Sequence, residues 1–125
     1  MQVSIGVDLV EVDRIARALA RHPERFLTRH FTPREIAQCG PDPRRLAARW
    51  AAKEALSKAL GTGVGPVGWH ELEVVCGRRD APQVHLHGAA RARAEARGLA
   101  GWSVSLTHTA GHALAVVAGS GPAAY

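Results

Sequence analysis

The chain has 125 residues, 46% of them hydrophobic and 22% charged, which fits one globular domain able to bury a modest core. Aromatic residues make up only 5%, so that core rests on Ala, Val, Leu and Ile. The net charge of +5 and pI near 10.2 favour a polyanionic partner, whether nucleic acid, nucleotide or acidic protein, and charge alone does not choose among them.

No apolar run is long enough to span a membrane, and Met1 leads straight into a strand-like segment with no targeting signal. Cys39 and Cys76 are far apart and in no metal-like spacing, which reads as two reduced thiols. These features predict a cytoplasmic protein with no membrane partner.

Val3 to Val12 alternates as a strand, with Val3, Ile5, Val7 and Leu9 on one face and Ser4, Gly6, Asp8 and Val10 on the other. Asp13 is placed to cap a helix from Arg14 to about Arg21. Its apolar face is Ile15, Ala18 and Leu19, and Arg14, Arg17 and Arg21 form a basic stripe. A short helix follows from Pro23 to Thr28. Thr32-Pro33-Arg34-Glu35 is a helix start, with Thr32 as cap, Pro33 in the first turn and Glu35 closing a capping box. That helix ends at Gly40-Pro41.

Asp42-Pro43 opens the longest helix, to Leu60, rich in Ala and Leu and closed by Gly61. Ala48, Ala52, Ala55 and Ala59 give it a small-residue stripe suited to lying on a sheet. The second half predicts strands at Trp69–Val75 and Gln83–His87 around a turn, a helix at Ala89–Arg97, and a final hairpin of Trp102–His108 and His112–Ala118. The expectation is an α+β fold, a small antiparallel sheet packed against a long central helix.

Chemistry-bearing residues gather on two of these elements. Asp8 is a carboxylate in an apolar strand, which is costly unless paired. It reads equally as an acid bonded to backbone amides or an arginine, or as a ligand. On the long helix, Glu54 and Lys58 share one face and Arg49 and Lys53 another. Glu54–Lys58 is either a surface ion pair or part of a site. Arg and Lys clusters hold phosphates, and two carboxylates hold Mg²⁺ together with waters and phosphate oxygens. The Gly61-Thr62-Gly63 turn lets backbone amides approach a phosphate. His108, beside a tight turn, suits an anion or a proton. His85 and His87 share a strand face but lack an evident third ligand.

Four segments in order resemble holo-acyl-carrier-protein synthases, small members of the 4′-phosphopantetheinyl transferase superfamily. They are Ile5-Gly6-Val7-Asp8-Leu9-Val10-Glu11-Val12-Asp13-Arg14-Ile15, the stretch from Phe26 to Glu35 with Cys39, the stretch from Arg49 to Gly63, and Ser103-Val104-Ser105-Leu106-Thr107-His108 with Ala113. The resemblance spans nearly the whole chain. It departs from the family pattern mildly at Trp50, Thr107 and His112, and at the Asp80-Ala81-Pro82 turn.

The resemblance implies a single phosphopantetheinyl transferase domain over 1–125, with a phosphopantetheinyl transferase-like fold. It implies transfer of the 4′-phosphopantetheine group of coenzyme A to a serine of an apo acyl carrier protein, with release of adenosine 3′,5′-bisphosphate. Asp8 and Glu54 match the family's Mg²⁺ ligands, and Lys58 its phosphate-touching lysine. Arg49, His108 and Gly61, Thr62 and Gly63 match positions around the nucleotide, to which the residue pattern adds Lys53. Glu54 and Lys58 are the candidate catalytic pair. Arg14 matches a carrier-docking arginine, and Arg17 and Arg21 extend its stripe. A homotrimer with active sites between subunits is also implied. The rival reading, a non-catalytic basic module binding nucleic acid, has the charge but lacks base-stacking aromatics and any nucleic-acid motif.

Overall fold

The alanine-rich segment forms helix α4 (Pro43–Leu60) in the computed structural model, which describes residues 1–122. Residues 123–125, the end of the expected 1–125 domain, lie outside the described residues. Asp42 caps α4 by accepting from the Arg44 amide at 3.0 Å. Gly61 ends it in the left-handed conformation, at φ +81°.

The sheet under α4 is antiparallel, in the order β1 (Gln2–Glu11), β5 (His112–Gly121), β4 (Gly101–His108). Ala48, Ala52, Ala55 and Ala59 are all buried, so the helix axis comes close to the strands. The approach is tight over Gly6, where an added Cβ would stand 1.8 Å from the Ala55 carbonyl oxygen. Beside it the Ser4 hydroxyl donates to the Ala59 carbonyl at 2.6 Å.

This demand for small residues decides which face of β1 turns inward. Ser4, Gly6, Asp8 and Val10 face the helix, and the more apolar face looks out. Val3, Ile5, Val7 and Leu9 are 51–66% exposed, next to Leu114 and Val116 of β5.

Helix α1 (Val12–Arg21) starts one residue before the expected cap. Asp13 therefore lies inside the first turn, and Glu11, at the cap position, makes no side-chain cap bond. An acid in that turn still suits the helix dipole. Helices α2 (Pro23–His30) and α3 (Pro33–Cys39) follow. The capping box is formed: the Glu35 amide donates to Thr32 Oγ1 at 3.2 Å, and the Thr32 amide to Glu35 Oε1 at 2.8 Å.

Strands β2 (Leu72–Cys76) and β3 (Pro82–Leu86) form a separate antiparallel pair. Trp69–Glu71, expected to begin the strand, is a 3₁₀ turn that brings Trp69 onto Trp50, ring centroids 4.4 Å apart. The hairpin tip carries left-handed backbone at Arg79 and Asp80. Helix α5 (Gly88–Ala96) and the residue that ends it close the far end of α4. Arg93 donates to the Leu60 carbonyl at 3.1 Å and Arg97 to the Ala59 carbonyl at 2.9 Å, serving acceptors the helix itself leaves open.

Candidate active site

Asp8 lies at the centre of β1, opposite Ala115 of β5, on the face that α4 covers. Lys58, one turn after Glu54, donates to Asp8 Oδ1 at 3.0 Å and to the Val7 carbonyl at 3.0 Å. Burial first, and then the Asp8 charge, push the Glu54 carboxyl up from its ordinary value, against the pull of Lys58 and Arg14. Asp8, Glu54 and Lys58 are thus assembled on one flank of α4, with Arg14 of α1 near enough to act on Glu54. Two carboxylates that disfavour each other's charge fit a divalent cation. Mg²⁺, which keeps several waters and takes one or two protein carboxylates, suits this donor set.

The opposite flank of α4 carries a cavity of about 360 Å³ lined by Gln38, Arg45, Arg49, Cys76, Asp80 and His108. Arg49 is 93% buried, yet its guanidinium reaches this space while donating to the Val74 carbonyl at 2.7 Å. His108 ends β4, two strands away from β1, so about 10 Å of sheet and the body of α4 separate it from Asp8. Arg49 and Glu54 are five residues apart on the helix and therefore face nearly opposite ways.

Two expectations need correction. Lys53 does not face a ligand: it is fully buried, with Nζ 2.5 Å from Glu35 Oε1 and 5.5 Å from the centre of the Phe31 ring. Its helical position turns it toward α3, where Glu35 also accepts from the Val74 amide at 2.9 Å. The amides of Gly61, Thr62 and Gly63 are not open to a phosphate either. They donate to the carbonyls of Lys58 and Ser57 at 3.0, 3.1 and 3.2 Å, closing the helix end. The turn offers close backbone approach at Gly63, where a Cβ would meet nothing within 4 Å, rather than amide donors.

Arg14, Arg17 and Arg21 are exposed along α1, with Arg17 3.9 Å from Asp13. A pocket between α1 and α2 adjoins them, floored by Phe26 and rimmed by Arg21, Arg25 and Arg29. His87 pairs with Glu73 at 3.0 Å, while His85 Nε2 is buried with no hydrogen-bond partner among the described residues. Sequence reasoning missed Arg45 and Gln38. Arg45 was legible, being one helical turn before Arg49. Gln38 carried no signal of its own.

A family model described as the 4′-phosphopantetheinyl transferase superfamily matches residues 4–117. The chain belongs to that superfamily. It is 46% identical to the holo-[acyl-carrier-protein] synthase of Herpetosiphon aurantiacus, over 93% of this chain and 97% of that one. It is 49% identical to the synthase of Solidesulfovibrio magneticus, over 90% and 94%. Among solved structures, the Helicobacter pylori holo-[acyl-carrier-protein] synthase in complex with coenzyme A superposes with a TM-score of 0.85 at 32% identity, over 93% of this chain and 99% of that one. No helix among the described residues is long and apolar enough to cross a membrane.

Proposed function

We propose that residues 1–125 act as one phosphopantetheinyl transferase domain, a cytoplasmic holo-acyl-carrier-protein synthase. It transfers the 4′-phosphopantetheine group of coenzyme A to a serine of an apo acyl carrier protein and releases adenosine 3′,5′-bisphosphate. The observation that carries this reading is the meeting of Asp8, Glu54 and Lys58 in a superfamily member, two acids and an ammonium at one helix–strand contact.

In the reaction the serine oxygen bonds to the β-phosphorus of coenzyme A, and the bond from that phosphorus to the oxygen bridging toward adenosine breaks. Asp8 and Glu54 would hold Mg²⁺, which supplies neutralisation of charge on the pyrophosphate and the leaving group. Lys58 is half exposed on a flexible stem and reaches from Asp8 to a phosphate placed there. Glu54, or a water it holds, accepts the serine proton. Arg49, Arg45 and His108 bind the phosphorylated adenosine end, and the Gly61–Gly63 turn gives it room.

These groups lie on opposite flanks of α4, so a complete site draws one flank from each of two copies. The outward apolar strip of Val3, Ile5, Val7, Leu9, Leu114 and Val116 supports a homotrimer in which copies pack through this sheet face. Arg14, Arg17 and Arg21 dock the acidic carrier protein, and the Phe26 pocket beside them takes an apolar anchor.

The test is mass spectrometry of apo carrier proteins incubated with this protein, coenzyme A and Mg²⁺. One added phosphopantetheine on the carrier serine is expected, at a rate that falls with salt. A panel of fatty-acid and polyketide carriers that all stay unmodified refutes the assignment.

A further inference from the structure

Strand β2 has β3 on one side and, among the described residues, no strand on the other. Side chains serve that open edge instead. Glu35 accepts from the Val74 amide at 2.9 Å, and Arg49 donates to the Val74 carbonyl at 2.7 Å. Gln38 serves both groups of Cys76, accepting from its amide at 2.9 Å and donating to its carbonyl at 2.8 Å. An unpaired edge left bare would cost hydrogen bonds and invite other strands.

Gln38 has a further bond. Its Oε1 also accepts from the Arg49 guanidinium at 3.1 Å. Two donors therefore converge on Oε1 while a carbonyl faces Nε2, so the carboxamide has one workable orientation. Both hydrogens on that guanidinium nitrogen are taken, one by Val74 and one by Gln38. The two anchors fix the plane of the fork, and the second terminal nitrogen donates a weak bond to Cys76 Sγ at 3.6 Å where both residues line the cavity.

We propose that Gln38 is a positioning residue that aims the Arg49 guanidinium into the cavity it shares with Arg45 and His108. This rests on the reading of that cavity as part of the coenzyme A site. Gln38 acts twice: it supplies one anchor directly, and it clamps the strand edge that supplies the other. With Gln38 removed, Arg49 keeps the Val74 carbonyl and the weak Cys76 Sγ acceptor, holds its plane less firmly, and regains rotamer freedom that a bound phosphate must then suppress.

Steady-state kinetics of carrier modification test this with Q38A, Q38M, R49M and the double variant Q38A/R49M. Q38A and Q38M are expected to raise KM for coenzyme A on the order of tenfold. The kcat and the KM for the carrier protein should stay within about twofold. R49M raises KM for coenzyme A by at least as much, and Q38A adds no more than about twofold on top of it, because both act through one guanidinium. Should Q38A melt below the assay temperature, Q38M keeps the chain length and carries the same expectation. Effects that multiply in the double variant, or a fall in kcat with KM unmoved, overturn the proposal. An R49M effect with none from either Gln38 variant overturns it alone. No effect from R49M removes the coenzyme A reading of the cavity as well.

Discussion

Lys58 Nζ lies 3.0 Å from Asp8 Oδ1, tying the last turn of the central helix to the middle of the first strand. The contact is half exposed on the lysine side and places Glu54, one turn earlier, over the same strand. Replacing Glu54 by Gln keeps the shape and removes the charge. Turnover of E54Q is expected to fall ~10²–10⁴-fold, while coenzyme A binding by calorimetry stays measurable. D8N should behave alike. Near-normal turnover in either variant rejects the assigned role.

The Glu35–Lys53 pair is wholly buried. A lone charge left there has no solvent to turn to. E35Q or K53M alone is expected to lower unfolding free energy by about 3–5 kcal/mol in urea titrations. The double variant E35Q/K53M should lose less than the two single losses added together. Additive losses would mean that the two side chains are energetically independent.

Acid sensitivity should trace to Glu73. Burial alone would raise this carboxyl, but hydrogen bonds from Arg34, Thr32 and His87, with the Arg34 charge, hold it down to about 2, against an ordinary value of 4.5. A carboxyl depressed on folding contributes stability that is fully present above its unfolded value and lost as pH falls toward the folded one. The contribution of Glu73 should therefore fade between about pH 4.5 and 2. Melting temperatures of wild type and E73Q should differ by a constant amount above that window and converge within it. A gap that persists unchanged to pH 2 counts against the Glu73 contacts as the cause.

The outward apolar strip predicts the assembly. V7D and V116D each put a charge into it, and light scattering should show their oligomer dissociating. If each site draws on two copies, E54Q mixed with H108A after brief dissociation should regain activity that neither has alone. A mixture as inactive as its components argues for sites complete within one chain.

Much of this is legible in the sequence. Asp42-Pro43 and Gly61 bracket α4, and Thr32 and Glu35 form their box, because caps and breakers act locally. Asp8 and Glu54 could be paired only through family resemblance, since nothing local links β1 to α4. Lys53 misled because a lysine in a helix is normally solvated, and its burial depends on Glu35, a residue whose capping role already explained it. The Gly61–Gly63 amides misled for a related reason: the same glycines that suit a phosphate turn also suit a helix end, and here the helix end takes the donors. The inward face of β1 was hidden by its own composition, because what selects it is the lack of room for a side chain at Gly6 under α4.

Gly6 sets a gauge that no polar contact could set. Since an added methyl would meet the Ala55 carbonyl oxygen at 1.8 Å, any larger residue must lift α4 from β1 by more than an ångström. Glu54 rides on that helix and Asp8 on that strand. The span between the two acids is set by an absent carbon two residues before Asp8, and that span would limit the ion proposed to sit between them.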